Sequence, residues 1–376
     1  MVKNFNHQKT IGIVGATPDS QAFILKANQL GFETYLLCQT REEASLIFGV
    51  SEVFIGTMDE ASIRDNFLMQ CDLLVYYDET LNATELEDVQ KMVVVPQGDD
   101  LLSIAQDRVL QKAFLDSLSV NIAPYVTVVK TEDIEEGIRS IGYPAVLRTN
   151  QINPESRMQS FFIYDESDIE EAATLLKYGT CVLESWIVTE NELSISAAKT
   201  GSGELKLFPI VEKEYREERL FNVQVPADID QELVDEINRV THVILENIDF
   251  QGVATIDLMV TPANALYVGN IYPYPNILTR YSEDLCTMSA TEAHLRAIAS
   301  LPVPGDITCH APYIYVPFYA DQKDKINEWI TIHPNWKFSF YPVTKKNEID
   351  TQEAVGHVMI ETEDVKKTLA SLKEEQ

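Results

Sequence analysis

Three carboxylates stand in predicted strands, where a solvated surface charge is not expected. Glu184 ends the apolar run CVLE, Glu192 begins ELSIS, and Asp257 is flanked by apolar residues in VATIDLMV. A charged side chain in an apolar strand is costly unless a counter-ion, hydrogen bonds or a metal ion stabilises it. Asp257 is therefore either a paired or metal-bound site residue or an outward-facing residue on a half-exposed strand.

Two loops stand where a ligand could bind. The stretch RTNQINPESRMQ, residues 148–159, separates two strand-like runs, but it contains no glycine and has a proline at its centre. The turn GATPDS, residues 15–20, has one glycine where a dinucleotide-binding fingerprint has three. We interpret the turn as an ordinary strand-to-helix connection capped by Asp19 or Ser20, rather than as a phosphate loop.

The charge balance excludes classes of partner. The 376 residues include 59 Asp and Glu against 29 Lys and Arg, a formal net charge of -30. Nucleic acid is not expected as a partner, because phosphate backbones need Lys and Arg, and an acidic surface is repelled by anionic membranes. An anionic small molecule would need a locally basic pocket.

The cysteines and the N-terminus favour the cytoplasm. Cys38, Cys71, Cys181, Cys286 and Cys309 show no zinc spacing and are unlike a disulfide framework. The polar N-terminus lacks a signal-peptide core, and no apolar run approaches the roughly 18 residues of a membrane span.

The apolar patterns predict the elements that position these residues. In the first hundred residues four short apolar runs alternate with amphipathic stretches, which predicts a parallel sheet with helices on its faces. Such a sheet binds ligands at the carboxyl ends of its strands, here at residues 15–20 and 76–80. A helical segment, LLSIAQDRVLQKAFLDSL, then leads into α+β regions that include the carboxylate-bearing strands.

The order of modules and several strings resemble the PurK family, the ATP-grasp 5-(carboxyamino)imidazole ribonucleotide synthetases of purine biosynthesis. The strings are AQDRVLQKAFLDSL, GYPAVLRT, CVLESWIVTENELSIS, FPIVEKEYRE, LYVGNIYPYPN and GHVMIETEDV. The resemblance runs nearly end to end and implies an α/β and α+β chain with the ATP-grasp fold. It implies a Rossmann-like N-terminal domain over residues 1–105, a lid domain with its leading helix over 106–185, and a C-terminal ATP-grasp domain and tail over 186–376.

The resemblance assigns a nucleotide site between the last two domains. Arg108 matches the arginine of the family's Q-D-R string. Arg148 matches the family's phosphate-binding lysine, so this position keeps its positive charge but carries a planar guanidinium in place of a compact ammonium. Glu192 matches the ribose-binding glutamate. The segment that reads adenine through backbone atoms falls on Glu184, Ser185, Trp186 and Ile187.

The phosphate loop departs from the family. The family's G-Y-D-G-K-G-Q falls on residues 153–159, which read NPESRMQ, so the glycines that bring backbone amides to phosphate are absent. Glu155, Arg157 and Gln159 keep a polar pattern, and we expect ATP contacts there from side chains. Tyr215 takes the place of the family's histidine in E-x-H-R.

The metal positions are also altered. The family's two magnesium-binding glutamates match Asp257 and Asn270. Because Mg²⁺ prefers carboxylate oxygens together with nucleotide phosphates, we expect a weakened Mg²⁺ site and weakened phosphoryl transfer.

The ribonucleotide site shows similar changes. Asp19 places an anion near the expected ribonucleotide phosphate, and the apolar Ile277 and Leu278 replace hydrogen-bonding side chains. The residues that fall on the family's substrate positions are Gly15, Tyr76, Glu79, Tyr274 and Arg280.

The resemblance implies ATP-dependent carboxylation of 5-aminoimidazole ribonucleotide with bicarbonate, through carboxyphosphate, in de novo purine biosynthesis. The alternative is a non-catalytic or weakly active member that binds nucleotide or a partner protein. An ATP-grasp ligase for another substrate is harder to support, because the phosphate loop has changed together with the substrate loops. The family commonly dimerises, so we expect a homodimer.

Overall fold

The computed structural model of the protein describes residues 9–78, 81–151, 160–216, 219–342 and 353–375. The expected contacts of Glu79, Glu155, Arg157 and Gln159 lie outside these residues. In the described part of the chain, three sheets carry the architecture.

The N-terminal sheet is parallel, with strand order β3, β2, β1, β4, as the alternating pattern predicts. Its elements are β1 (Thr10–Val14), α1 (Pro18–Gln29), β2 (Glu33–Cys38), α2 (Arg41–Ala44), β3 (Glu52–Ile55), α3 (Ala61–Leu68), β4 (Leu73–Tyr76) and α4 (Ala83–Val89). The cap predicted for α1 is wrong by two or three residues. Thr17 is the cap, because its Oγ1 accepts a hydrogen bond from the Ser20 amide at 3.1 Å while the Ser20 hydroxyl accepts one from the Thr17 amide.

Two short helices connect this sheet to the next. The segment predicted as one helix is broken into α5 (Asp100–Gln106) and α6 (Arg108–Ser117). The break falls at Asp107, which has extended backbone angles and accepts a hydrogen bond from the Leu110 amide at 2.8 Å. Asp107 thus starts a new helix as its N-cap.

The second sheet is antiparallel, with strand order β5, β8, β6, β7, and we call it the lid sheet. Its elements are β5 (Tyr125–Val128), α7 (Thr131–Ile141), β6 (Ala145–Thr149), β7 (Ser160–Ile163), α8 (Ile169–Ala172) and β8 (Cys181–Ser185). Helix α8 has only 4 residues, because residues 173–178 continue as a 3₁₀ segment.

The third sheet, which we call the large sheet, is antiparallel with order β14, β13, β9, β11, β12, β15, β17, β16, and β10 adds to β9. Its elements are β9 (Asn191–Lys199), β10 (Leu205–Leu207), β11 (Val211–Arg216), β12 (Arg219–Val225), α9 (Gln231–Glu246), β13 (Gly252–Val260), β14 (Leu266–Tyr272), α10 (Ser282–Leu285), α11 (Ala290–Ile298), β15 (Tyr313–Tyr319), α12 (Lys323–Ile332), β16 (Lys337–Phe340), β17 (Ala354–Glu361) and α13 (Val365–Glu375).

Helix α9 packs against the centre of the large sheet. Its buried Ile237 and Ile244, seven residues apart on one face, belong to the same core as Ile195 and Ile256 of β9 and β13. This packing fixes one face of the sheet and leaves the other available for polar side chains. The three sheets lie within the predicted domain ranges, whose boundaries remain predictions.

One cysteine pair departs from the sequence-based expectation. Cys286 and Cys309 face each other across an isolated antiparallel bridge and form a disulfide, while Cys38, Cys71 and Cys181 are free. The pairing joins residues 23 positions apart that only the fold brings together. Among the helices of the described residues, none is long and apolar enough to cross a membrane.

Candidate functional site

A cavity of about 200 Å³ lies between the lid sheet and the large sheet. The nucleotide positions expected from the sequence that lie within the described residues line it, apart from Tyr215: Arg108, Arg148, Glu184, Ser185, Trp186, Ile187, Glu192, Asp257 and Asn270. We call this cavity the nucleotide cleft.

Strand register places the acidic side of the cleft. Glu192 and Ser194 point to the same face of β9, because side chains in a strand repeat every second residue. Glu192 pairs with Lys213 of β11, and Ser194 pairs with Asp257 of β13. Lys213, Glu192 and Asp257 therefore share one face of the large sheet, opposite the face that α9 covers.

The lid side contributes cations. Arg108 and Lys112 lie one turn apart on α6 and so project from the same helix face. Arg148 of β6 and Glu184 of β8 lie on one face of the lid sheet, since the pairs are Arg148 with Val182 and Val146 with Glu184. Three cations and one carboxylate converge at the cleft.

Lys112 and Arg108 contact polar groups of the cleft. Lys112 Nζ lies 3.2 Å from Glu184 Oε2, and both side chains are almost fully buried. The Arg108 guanidinium donates from Nε to the Thr149 carbonyl at 3.1 Å and from Nη1 to Asn270 Oδ1 at 3.3 Å. Burial, followed by the charge of Arg148, lowers the pKa of Arg108, and burial also lowers the pKa of Lys112. An anion bound among these groups would relieve their repulsion.

Asp257 is a paired site residue, which resolves the two alternatives left by the sequence. Its Oδ1 lies 2.6 Å from Lys213 Nζ, and its Oδ2 accepts a hydrogen bond from the Tyr272 hydroxyl at 3.0 Å. Nearby, burial raises the pKa of Glu192, although the Lys213 ammonium acts in the opposite sense. Burial also raises the pKa of the Tyr272 hydroxyl well above its usual range.

Tyr215 lies beside the cleft rather than in its wall. It follows an irregularity in the pairing of β11 with β12, and its ring centroid is 5.7 Å from Lys213 Nζ. Burial, followed by the charges of Asp257 and Glu192, raises the pKa of its hydroxyl.

The residues do not fit the family's magnesium site. The charge of Asp257 is already balanced by Lys213, and Asn270 is neutral and accepts a hydrogen bond from Arg108. Within the described ranges, no group of three or more His, Cys, Asp or Glu residues could hold a metal ion. Asp257 and Asn270 therefore do not offer the two free carboxylates that a protein-bound Mg²⁺ ion would need.

A second cavity, of about 690 Å³, opens at the carboxyl ends of all four strands of the parallel sheet. It contains Gly15 and Tyr274, as the resemblance implies, and we call it the ribonucleotide cavity. Its acidic lining residues are Asp19, Glu43, Asp59, Asp78 and Glu85, and no Lys or Arg of the described chain lines it.

Arg280 does not enter the ribonucleotide cavity as a free cation. Its Nε and Nη2 donate to Asp19 Oδ1 at 2.9 and 2.6 Å, and its guanidinium stacks 3.9 Å from the centroid of the Tyr341 ring. Tyr76 was expected at the substrate and is not there. Its hydroxyl donates to the Gly98 carbonyl, and Tyr77, on the opposite side of the chain, lines the cavity.

The sequence interpretation missed Lys112, Lys213, Tyr272 and Tyr77. A signal existed for Lys213: in VEKEYR every second residue from Val211 is expected to face inward, and a lysine at the second inward position needs a partner. Lys112 lies one helical turn beyond Arg108, which also could have indicated a shared site.

Known proteins agree with this architecture. The ATP-grasp domain family matches residues 113–291. The N5-carboxyaminoimidazole ribonucleotide synthase of Staphylococcus aureus (strain MRSA252) is 26% identical over 370 residues, which cover 97% of this chain and 96% of that protein.

Solved structures give the same result. The ADP complex of an N5-carboxyaminoimidazole ribonucleotide synthetase superposes with a TM-score of 0.91 at 25% identity, covering 100% of this chain and 98% of that one. The Aspergillus clavatus N5-carboxyaminoimidazole synthase in complex with ADP and 5-aminoimidazole ribonucleotide shares the fold, with a TM-score of 0.86 at 19% identity and coverage of 98% of both chains. The chain therefore has the ATP-grasp fold and is similar over nearly its whole length to N5-carboxyaminoimidazole ribonucleotide synthases.

Proposed function

We propose that this chain binds ATP in the nucleotide cleft and uses it to carboxylate 5-aminoimidazole ribonucleotide with bicarbonate, in purine biosynthesis. The observation that carries the proposal is the convergence of Arg108, Lys112 and Arg148 on one cavity, where Glu184 pairs with Lys112. In a chain of net charge -30, such a local concentration of positive charge is suited to a polyphosphate.

The proposed reaction has two steps. A bicarbonate oxygen attacks the γ-phosphorus of ATP, ADP leaves, and carboxyphosphate forms. The amine of the ribonucleotide then attacks the carboxyl carbon, inorganic phosphate leaves, and the amine loses a proton. Arg108 and Arg148 contribute positive charge next to the phosphates, where phosphoryl transfer depends on charge neutralisation and positioning.

The adenosine half of ATP is assigned to the far end of the cleft. Residues 184–187 span the end of β8 and offer backbone groups to adenine, and Glu192 is placed to accept hydrogen bonds from ribose hydroxyls. Mg²⁺ is weakly held in this proposal, because Asp257 is paired and Asn270 carries no charge. We further propose a cytoplasmic homodimer, by analogy with the family, and light scattering of the purified chain tests the dimer.

The test of catalysis is phosphate release that requires ATP, bicarbonate and 5-aminoimidazole ribonucleotide together. Omitting any of the three should abolish it. Arg148→Met should lower the rate at subsaturating ATP at least about tenfold, since a charged phosphate contact is worth about 1.4 kcal/mol or more. Arg139→Met, on an exposed position of α7, is the matched control and should leave the rate unchanged.

A second candidate is a family member that binds nucleotide without turnover. Two ion pairs favour it: Lys213 with Asp257 in the nucleotide cleft, and Arg280 with Asp19 beside the ribonucleotide cavity. Each neutralises a charge that the expected metal or substrate phosphate would use. ATP binding without any ribonucleotide-dependent phosphate release would decide for this candidate.

A further inference from the structure

We propose that the Lys213 ammonium takes the cation position of the nucleotide cleft, so that nucleotide binds this chain without a divalent metal ion. The inference rests on the proposed nucleotide binding and not on the proposed carboxylation. It assigns to Lys213 the role of a built-in counter-ion for the bound phosphates.

The first argument is the location of the ammonium. Lys213 Nζ lies 2.6 Å from Asp257 Oδ1, with the two side chains 4% and 14% exposed. Removing a charge this deeply buried from its partner is costly, so the pair is a persistent feature of the folded cleft. The contact is a charge pair without directed hydrogen-bond geometry, because Oδ1 accepts no hydrogen bond from the described residues.

The second argument is that the remaining oxygens of a metal site are also engaged. Asp257 Oδ2 accepts a hydrogen bond from the Tyr272 hydroxyl, and Asn270 Oδ1 accepts one from Arg108 Nη1. A hard divalent ion needs carboxylate oxygens that are free to coordinate it. Here each of these oxygens already faces a cation or a hydroxyl donor.

The third argument is the sum of the charges. Lys213 and Arg108 occupy the two positions that face Asp257 and Asn270, and together they supply the same charge as one divalent ion. Both side chains line the nucleotide cleft, so both charges act on a ligand bound in it. A divalent ion entering beside them would be repelled by the ammonium and the guanidinium.

The experiment measures ATP dissociation constants by calorimetry on the full-length chain, once with millimolar MgCl₂ and once with EDTA. We expect the two constants to agree within about threefold. Lys213→Met should weaken binding in EDTA at least about tenfold, because a buried charge next to the phosphates is lost. The matched control is Lys206→Met, a strand lysine paired with Glu204 outside the cleft, which should bind as the natural chain does.

A second variant guards against misfolding, since Lys213→Met leaves Asp257 without its partner. Lys213→Met combined with Asp257→Asn removes both charges and keeps an acceptor for Tyr272; it should fold and still lose affinity in EDTA. Lys213→Asn combined with Asn270→Glu should make ATP binding depend on Mg²⁺ by at least about tenfold.

The outcomes separate this inference from the proposed function. Tight ATP binding that requires Mg²⁺, or binding in EDTA that is unchanged in both Lys213→Met variants, overturns the inference and leaves the function standing. No ATP binding in either buffer overturns both. Metal-independent binding that is lost with Lys213 supports the inference, whether or not phosphate is later released.

Discussion

The two cavities of this chain differ in the sign of their charge. The nucleotide cleft contains four cations, against the three carboxylates Glu184, Glu192 and Asp257; the cations are Arg108, Lys112, Arg148 and Lys213. The ribonucleotide cavity is lined by carboxylates, and Arg280, beside it, is already paired with Asp19. The first is suited to a polyphosphate, whereas the second lacks a free cation in the described residues. Binding of ATP and binding of a second phosphorylated substrate are therefore separable properties of one fold.

The largest expected effect concerns the buried ion pair of the nucleotide cleft. Lys112→Met should lower the free energy of unfolding by about 3–5 kcal/mol, because it leaves the Glu184 carboxylate buried without its counter-ion. Urea denaturation measures the change. Adding Glu184→Gln should restore most of the loss, and a single-variant loss below about 1 kcal/mol would show that the pair is solvated.

A smaller loss of stability is expected beside the ribonucleotide cavity. Asp19→Asn should lower the free energy of unfolding by about 3 kcal/mol, because Arg280 keeps its stacking on Tyr341 but loses the carboxylate that pairs with it. The freed guanidinium should then bind phosphate. Ribose 5-phosphate should raise the melting temperature of Asp19→Asn and not that of the natural chain; equal responses would contradict the charge difference between the cavities.

Acid should weaken the packing behind the ribonucleotide cavity through His294, whose ring packs against that of the lining residue Tyr77. Burial lowers the pKa of this histidine to about 3, and its Nδ1 accepts a hydrogen bond from the Val253 amide. A histidine that folds in its neutral form stabilises the fold above its unfolded pKa of about 6.5, and this stability is lost as the pH falls toward the folded pKa.

Between pH 6.5 and 5 the loss due to His294 should be about 2 kcal/mol of unfolding free energy, measured by urea denaturation at each pH. His294→Gln keeps a hydrogen-bond acceptor and should remove this part of the pH dependence. The same substitution at the exposed His242 should leave the dependence as it is; an unchanged slope in His294→Gln would show that His294 titrates normally.

The smallest effect concerns Glu85, which also lines the ribonucleotide cavity. A hydrogen bond with Asp59 raises the pKa of Glu85 to about 7. Stability from the protonated form is present below the unfolded pKa of about 4.3 and is lost as the pH rises through the folded value. Glu85→Gln should therefore stabilise the chain at pH 8, by less than about 0.5 kcal/mol because solvent screens the pair. If Glu85→Gln destabilised the chain at pH 8, the hydrogen bond between Glu85 and Asp59 would not depend on a proton held by Glu85.

The sequence predicts local structure well where periodicity is strong. The parallel sheet, the strands that carry Glu184, Glu192 and Asp257, and the long helix α9 all follow from apolar patterns, and the resemblance adds the fold. The break at Asp107 was missed, because a single capping residue inside a helical pattern is a weak signal.

The charge pairs of the site were less predictable. Asp19 and Arg280 are 261 positions apart, and Lys213 meets Asp257 only through the pairing of β9 with both neighbouring strands. Strand order and register decide these contacts, and neither can be read from one strand alone. Which of Tyr76 and Tyr77 faces the ribonucleotide cavity depends in the same way on where β4 ends.

Calorimetric titration with ATP, compared between the natural chain and Arg148→Glu, tests the nucleotide cleft most directly. One ATP should bind per chain, and reversing the charge of Arg148 should weaken binding at least about a hundredfold, or about 2.8 kcal/mol, while the unfolding free energy changes little. Absence of ATP binding to the natural chain, or equal affinity in Arg148→Glu, would contradict the assignment of the cleft.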